Sequence, residues 1–102
     1  METSFVLVAI LTLPPEKAGL FHDYEQKAAR IMARYGGRVE KVMEAARESL
    51  LTEIHWVVFP TEEAFNDYQK DQELLRLQPL RLECGVETKL WRGHSRPVYG
   101  HS

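Results

Sequence analysis

The stretch EIHWVVFPTEEAFNDY, residues 53–68, joins a strand to a helix and indicates the fold class. Residues 53–59 are rich in β-branched and aromatic side chains, which pack well on a pleated sheet and are crowded in a helix. Pro60 has no amide hydrogen to donate to a neighbouring strand, so the strand should end there. Thr61 can accept a hydrogen bond from the free amides of a first helical turn, and two glutamates follow it at the positive end of the helix dipole. We therefore predict a strand that ends at Pro60 and a helix that Thr61 begins.

Two further strands are predicted before this stretch. Residues 5–11 are apolar at both alternating positions, as expected of a strand that is covered on both faces. Residues 38–46 carry mixed charges and predict a weaker strand at an edge of the sheet. Residues 48–52 would then form the hairpin into the strong strand.

A long helix is predicted between these strands. From about Pro15 to Tyr35, apolar side chains recur at steps of three and four, which is typical of a helix with one buried face. Gly36 and Gly37 supply the left-handed turn that ends such a helix. Gly19 is unexpected because glycine in a helix interior costs roughly 1 kcal/mol relative to alanine. A close backbone contact would be one reason for it.

The remaining elements complete a repeated strand-helix-strand order. Residues 71–79 predict an irregular helical turn, which Pro79 should keep from continuing as a regular helix. Residues 86–91 alternate and predict the last strand. The chain is thus predicted to have a ferredoxin-like βαββαβ fold of the α+β class, a four-stranded antiparallel sheet with two helices on one face. We expect a single domain over residues 1–92 and a mobile tail over residues 93–102.

A homodimer is predicted because two helices cover only one face of such a sheet, whereas the first and third strands are apolar on both faces. A second copy that buried roughly 800 Å² of each subunit would gain tens of kcal/mol at most, against an association cost on the order of 4–15 kcal/mol. We therefore expect two sheets packed face to face in a closed, twofold arrangement. The alternative is that the tail or the segment after the second helix folds over this face.

Composition excludes several classes of protein. The 102 residues carry 13 basic and 15 acidic side chains, mixed along the chain, for a net charge of −2. Such a chain has no electrostatic footprint for nucleic acid or an anionic membrane. The single cysteine, Cys84, cannot form an internal disulfide and favours a reducing compartment. The apolar run at residues 5–13 follows Glu2 rather than a basic segment, so we do not interpret it as a signal peptide and expect a cytoplasmic protein.

Three segments of the chain form a recognisable set: Tyr35-Gly36-Gly37-Arg38, Phe59-Pro60-Thr61-Glu62-Glu63-Ala64-Phe65 with Tyr68, and Leu77 to Leu80. With them the chain resembles the dimeric alpha/beta barrel superfamily, in its branch of small domains of unknown function, over roughly Ser4 to Arg92. The resemblance implies the ferredoxin-like fold and a homodimer whose sheets pack face to face as a dimeric α/β barrel. Members of that superfamily include antibiotic-biosynthesis monooxygenases, haem-degrading enzymes, muconolactone isomerases and proteins without a known activity, so the resemblance implies a fold and no particular reaction.

His55 is the candidate catalytic residue. It lies inside the strongest strand, where burial and a nearby carboxylate would bring its titration into the range used in acid-base catalysis. The competing interpretation is a structural histidine that bonds a loop or a partner subunit, since buried polar groups usually find such partners.

Aromatic and basic side chains complete the candidate ligand-binding set. Tyr24 and Tyr68 lie on helix stripes and could line a pocket, although packing with the hydroxyl at the rim is the commoner role. Trp56 and Trp91 could form a wall against a ligand or pack in the core or a dimer interface. Arg38 could bind a carboxylate or stay solvated at the edge strand.

No motif for a metal, a phosphate or a nucleophile was found. No histidine pair has the i, i+4 spacing of helical zinc sites, and there is no glycine-rich phosphate loop or nucleophile elbow. We therefore expect no metal and no cofactor. Three functions stay open: binding of a small apolar or aromatic molecule between sheet and helices, a cofactor-independent monooxygenase or isomerase with His55 as acid or base, and a purely structural interaction module.

Overall fold

Four strands and four α-helices make up the protein in the computed structural model, which describes residues 4–100 apart from the side chain of Arg47. A 3₁₀ turn at Pro15–Lys17 precedes the first helix. The strands are β1 (Phe5–Leu13), β2 (Arg38–Arg47), β3 (Leu50–Phe59) and β4 (Glu87–His94), and the helices are α1 (Ala18–Ala33), α2 (Glu62–Gln69), α3 (Gln72–Arg76) and α4 (Gln78–Glu83).

The strands form one antiparallel sheet in the order β2-β3-β1-β4. This arrangement confirms the predicted α+β, ferredoxin-like fold, with the apolar strands β1 and β3 in the centre. The charged strand β2 lies at an edge, as predicted, and its pairing with β3 shifts by one residue between Val39 and Lys41. Such a bulge twists the strand and discourages pairing with another chain.

The predicted break between β3 and α2 is confirmed. β3 ends at Phe59, and the Thr61 hydroxyl oxygen accepts a hydrogen bond from the Ala64 amide at 3.0 Å. The turn after α1 is also confirmed, because Gly36 adopts a left-handed backbone with φ +74°. Gly37 has a different reason for being glycine: a Cβ there would lie 2.4 Å from the Phe59 ring.

Several element boundaries differ from the prediction. The 3₁₀ turn delays the start of α1 to Ala18, and β3 begins at Leu50 because the hairpin turn takes up only Glu48 and Ser49. The helical turn predicted not to continue through Pro79 does end before it, because α3 stops at Arg76. The sequence did not predict α4, which begins at Gln78 with Pro79 in its first turn, where the amide hydrogen that proline lacks has no helical partner to lose.

The two faces of the sheet differ in their cover. All described helices pack on one face, where β1 contributes Phe5, Leu7, Ala9, Leu11 and Leu13 to two buried clusters. We call the other side the open face. It carries Val8 and Ile10 of β1, Ile54 and Trp56 of β3, Met43 of β2 and Trp91 of β4.

None of the helices within residues 4–100 is both long enough and apolar enough to span a membrane.

Candidate functional site

A cavity of about 140 Å³ lies between the sheet and the helices. Side chains from all four strands and from helices α1, α2 and α4 surround it. Most are apolar, and the few polar ones converge from different elements, which is the usual composition of a small-molecule site. The lining residues used below are Leu7, Tyr24, Glu25, Ala28, Met32, His55, Val57, Phe59, Phe65, Tyr68 and Arg81.

The register of β1 and β3 gives the cavity an apolar end and a polar end. Leu7 pairs with Val57, and Phe59 continues this end into the aromatic cluster with Phe65. One step along the same face, Ala9 pairs with His55. The cavity is therefore apolar towards Phe59 and polar towards His55.

His55 lies between two carboxylates. Its Nε2 atom is 2.8 Å from an oxygen of Glu53, within hydrogen-bonding distance. Its Nδ1 atom is 3.7 Å from an oxygen of Glu25. Both His55 and Glu53 are buried. The imidazole is thus placed to exchange a proton on each side.

His22 extends this arrangement to the protein surface. Its Nε2 atom is 3.0 Å from the second oxygen of Glu53. The His22 side chain is 54% exposed, whereas the Glu53 side chain is 7% exposed. We call the four side chains His22, Glu53, His55 and Glu25 the histidine-carboxylate cluster.

Local structure explains why the members of this cluster meet. Glu53 and His55 are two positions apart on β3 and so point to the same face of the sheet. His22 and Glu25 are three positions apart on α1 and so lie on the same side of the helix. Packing of α1 across β3 then brings the two pairs together.

Burial shifts the ionisation of the acidic groups around the cavity. It raises the pKa of the Glu25 carboxyl above its ordinary value of 4.5, while the charge of His55 opposes this shift and Glu53 adds to it. Burial also raises the pKa of Tyr24, partly offset by the charge of Arg81. The pKa of Tyr68 is raised mainly by burial as well. Both phenols and, over a wider pH range than usual, Glu25 are therefore neutral.

A groove of about 220 Å³ lies on the other side of the cluster, between α1 and strands β2 and β3. His22, Glu25, Glu53 and His55 line this groove together with Gln26 and Val42. Glu25 and His55 line both the groove and the cavity. The histidine-carboxylate cluster therefore lies between the groove and the polar end of the cavity.

A second depression, of about 550 Å³, opens on the surface near the start of α3. Its side chains are engaged with one another: Arg34 bonds Glu73 at 2.9 Å, and the Tyr35 hydroxyl donates to Asp71 at 2.6 Å. These contacts hold the end of α1 against α3. We therefore assign the depression a structural role.

The structure brings three of the sequence-predicted site residues together. His55, Tyr24 and Tyr68 all line the cavity. The Tyr68 hydroxyl is 3.4 Å from the backbone oxygen of Ala28, to which it donates. Its ring forms the wall while its hydroxyl is engaged with α1.

The other three predicted residues lie elsewhere. Trp56 and Trp91 flank Val8 on the open face and are 42% and 70% exposed, so neither borders the cavity. Arg38 is exposed at the edge of the sheet and forms an ion pair with Glu40 at 3.0 Å.

Sequence reasoning missed four polar residues of this region: His22, Glu25, Glu53 and Arg81. The sequence contained a signal for one of them, Glu53. The alternation of Glu53 and His55 on an otherwise apolar strand face places a carboxylate beside the histidine. Glu25, His22 and Arg81 are distant in sequence from that strand and gave no such signal.

Within residues 4–100, no group of three or more histidine, cysteine, aspartate or glutamate side chains has the arrangement of a metal site. Every buried polar side-chain atom of the described residues has a hydrogen-bond partner. His22, Glu53 and His55 are thus joined by hydrogen bonds, and Glu25 lies 3.7 Å from His55, beyond hydrogen-bonding distance.

Comparison with known proteins gives matches only among solved structures, because no protein-family model and no curated protein matches this sequence. SnoaB, a cofactor-independent oxygenase from Streptomyces nogalater, superposes with a TM-score of 0.70 at 14% identity, covering 98% of this chain and 100% of that one. A candidate antibiotic biosynthesis monooxygenase from Nitrosomonas europaea gives 0.65 at 11% identity over 87% and 97% of the two chains.

Proteins of unknown function have the same fold. One from Rhodopseudomonas palustris gives a TM-score of 0.69 at 16% identity, covering 90% of this chain and 84% of that one. The three structures confirm the predicted ferredoxin-like fold. At these identities the likeness establishes the fold alone.

Proposed function

We propose that this chain, which has the ferredoxin-like fold of the monooxygenase-like structures, binds a small, mostly apolar or aromatic molecule in the cavity between sheet and helices. The observation that supports this function is the cavity itself, with aromatic side chains at one end and Tyr24, Glu25, His55 and Arg81 towards the other. A cavity with these two ends would orient a ligand that carries one polar group.

The size of the cavity limits the ligand. An engineered apolar cavity of roughly 150 Å³ holds benzene, whereas drug-sized ligands occupy about 300–1,000 Å³. At about 140 Å³ this cavity matches a single ring. We therefore propose a one-ring compound whose polar substituent points towards His55.

Calorimetric titration with p-cresol tests this proposal. We expect saturable binding of one molecule per chain. Ala28 is buried against the cavity, so Ala28→Leu should fill it and weaken binding by about tenfold or more, equivalent to roughly 1.4 kcal/mol. The matched control is Ala33→Leu, the same change at an exposed position of α1. Absence of saturable binding to the unmodified protein, or equal affinity in both variants, would contradict the proposal.

A second candidate function is catalytic. The buried imidazole between two carboxylates, at the polar end of the cavity, supports a cofactor-independent oxygenase or isomerase in which His55 is the general acid or base. Tyr24, rather than Tyr68, is placed to orient a substrate, because the Tyr68 hydroxyl already donates to α1.

Deuterium exchange tests the catalytic alternative. Cyclohexanone fits a one-ring cavity and exchanges its α-hydrogens with D₂O only when a base removes them. We expect the protein to accelerate this exchange and His55→Gln to abolish the acceleration. Exchange at the background rate, or the same rate in His55→Gln, would remove His55 from such chemistry. The third hypothesis, a purely structural module, requires a solidly packed interior, and the cavity counts against it.

We also propose a homodimer that forms through the open face. The support is the row of apolar side chains there, of which Met43, Trp56 and Trp91 are 56%, 42% and 70% exposed. Exposed apolar surface of this kind on an otherwise polar protein marks an interaction site. A second copy offers the same surface and closes the pair by twofold symmetry. The lone Cys84 supports our placement of this dimer in the cytoplasm.

A further inference from the structure

We propose that His22, Glu53 and His55 form a proton relay between solvent and the cavity. The His22 Nε2 atom is 3.0 Å from one Glu53 oxygen, and the His55 Nε2 atom is 2.8 Å from the other. Both separations are those of hydrogen bonds through which a proton can pass. The inference rests on the proposed function, because a relay is useful only if the cavity holds a group that gains or loses a proton.

One end of the relay is exposed to solvent and the other end is buried. The side chain of His22 is 54% exposed, whereas those of Glu53 and His55 are 7% and 6% exposed. His55 in turn lines the cavity. The exposure thus decreases along the chain of hydrogen bonds, as a path from solvent into a closed site requires.

Both oxygens of Glu53 are used. A buried carboxylate needs hydrogen bonds on its remaining lone pairs, and a hydroxyl or an amide would meet that need, whereas histidine can in addition take up and release a proton near neutral pH. Here each oxygen contacts a different histidine, one from α1 and one from β3 itself. This connection of two histidines through one carboxylate is the observation that favours a relay over a structural pair.

The position of Glu25 indicates that a proton enters the relay at His55 Nδ1, its inner end. Its oxygen is 3.7 Å from His55 Nδ1, which is longer than a hydrogen bond. A proton therefore enters at Nδ1 either from the polar group of a ligand in the cavity or from Glu25 after its carboxyl group turns towards His55. The imidazole can accept on Nδ1 and release from Nε2 because its two nitrogens exchange roles.

The proton balance closes without another reactant when Glu53 carries a proton at the start. The Glu53 hydroxyl then donates to His22 Nε2, and His55 Nε2–H donates to the other Glu53 oxygen. When a proton arrives at His55 Nδ1, the Nε2 proton passes to Glu53, the Glu53 proton passes to His22 Nε2, and His22 releases its Nδ1 proton to water. One proton enters, one leaves and the three groups keep their charges. Transfer in the opposite direction restores the original tautomers.

Other charges face this path from the neighbouring elements. Glu44 of β2 pairs with Glu53 across the sheet, Glu25 and His22 come from α1, and Arg81 of α4 lines the cavity near His55. In this scheme His22 and Glu53 are positioning residues that act through His55.

Exchange of the His55 ring N–H with water, followed by ¹⁵N NMR on protein without ligand, tests the relay. His22→Gln keeps a side-chain amide near Glu53 but cannot carry a proton. We expect it to slow the exchange by about tenfold or more, which is modest beside the 10²–10⁴-fold contribution of positioned proton-transfer groups. The control is His94→Gln, an exposed histidine at the far end of β4, which should leave the rate unchanged.

Rescue by added imidazole separates a relay from a structural effect. Free imidazole can replace the missing proton carrier, so it should restore the exchange in His22→Gln in proportion to its concentration and have little effect on the unmodified protein. An unchanged rate in His22→Gln, or equal acceleration of both proteins by imidazole, would overturn the relay. Since no ligand is present, failure of p-cresol to bind would refute the proposed function without affecting this result.

Discussion

Glu25 makes the stability of the protein depend on pH. Burial raises the pKa of its carboxyl in the folded state above the ordinary 4.5. The folded protein therefore holds this proton more tightly than the unfolded chain does. The resulting stabilisation is complete below pH 4.5 and is lost as the pH rises through the folded pKa.

Replacement of Glu25 by glutamine should remove this pH dependence. The free energy of unfolding of Glu25→Gln, relative to that of the unmodified protein, should rise as the pH is raised from 4.5 to about 8. Urea unfolding at several pH values measures this difference. Glu16→Gln, at an exposed position, is the control. A difference that stays constant with pH would show that Glu25 titrates alike in both states.

Gly19 and Gly37 should respond in opposite ways to alanine. A Cβ at Gly19 meets no atom within 4 Å, so the close contact suggested by the sequence does not exist. Gly19→Ala should raise the free energy of unfolding by about 0.5–1 kcal/mol through a stiffer unfolded chain and a better helix. A Cβ at Gly37 would lie 2.4 Å from Phe59 and 2.6 Å from Met32, both buried. Gly37→Ala should lower the free energy by about 1–3 kcal/mol.

Denaturant titration of the two glycine variants checks this pair. Their opposite signs are the test, since a general effect of alanine on the unfolded chain would shift both in one direction. If Gly19→Ala lowered the free energy of unfolding instead, the backbone at this position of α1 would have to be in a conformation that alanine does not tolerate.

At the scale of elements, helix α2 depends on its cap. It has only eight residues, and the Thr61 hydroxyl accepts from the Ala64 amide at 3.0 Å. Thr61→Ala should lower the free energy of unfolding by about 1 kcal/mol, whereas Thr61→Ser keeps the oxygen and should stay close to the unmodified protein. Thermal unfolding followed by circular dichroism measures both. Equal loss in the two variants would assign the effect to the lost methyl group.

The cap also connects an element to the proposed site. Phe65 and Tyr68 of α2 line the cavity. Loss of the cap should therefore loosen one wall of the cavity as well as the helix.

Element order was readable along the chain, and the exceptions have local causes. Proline at position 60 ended β3 as predicted, because the strand there would have needed its amide. Proline at position 79 lies at the break between two helices: α3 ends at Arg76 before it, as predicted, and Pro79 occupies the first turn of α4, a helix that the sequence did not predict. The same residue type breaks an element in one setting and starts one in another.

At the scale of the whole molecule, we expect the open face to determine whether the protein forms a dimer. Val8 pairs with Trp56 on one side and Trp91 on the other, near the centre of that face. Val8→Glu should dissociate the dimer and leave the fold intact, because a charge buried between two sheets has no partner. Sedimentation velocity with circular dichroism measures both effects. Val57 of β3 points to the helices and belongs to the buried core, so Val57→Glu would disturb the fold and cannot serve in this experiment.

A control for this experiment lies outside the open face. Val98 is 73% exposed beyond the end of β4, and Val98→Glu should leave the dimer unchanged. A monomeric unmodified protein, or a Val8→Glu variant that sediments as the unmodified dimer does, would refute face-to-face pairing.

Local chemistry was enough to predict the order of strands and helices, the break at Pro60, the cap at Thr61 and the edge position of β2. These features arise from backbone hydrogen bonds, sterics and periodicity that act within a few residues, so a sequence read in short windows contains them. Three of the six candidate ligand-binding residues, Tyr24, His55 and Tyr68, line the cavity for the same reason, since their apolar neighbours in sequence placed them on an inward face.

The histidine-carboxylate cluster required the packed fold. His22 and Glu53 are 31 positions apart, and their contact exists because α1 crosses β3 at one particular position and angle. Which face of the sheet Trp56 and Trp91 occupy likewise follows from strand pairing, since a shift of one residue exchanges the two faces. Burial of Glu53, the polar end of the cavity and the exposed apolar face are therefore properties of how the elements pack, and no short segment of the chain carries them.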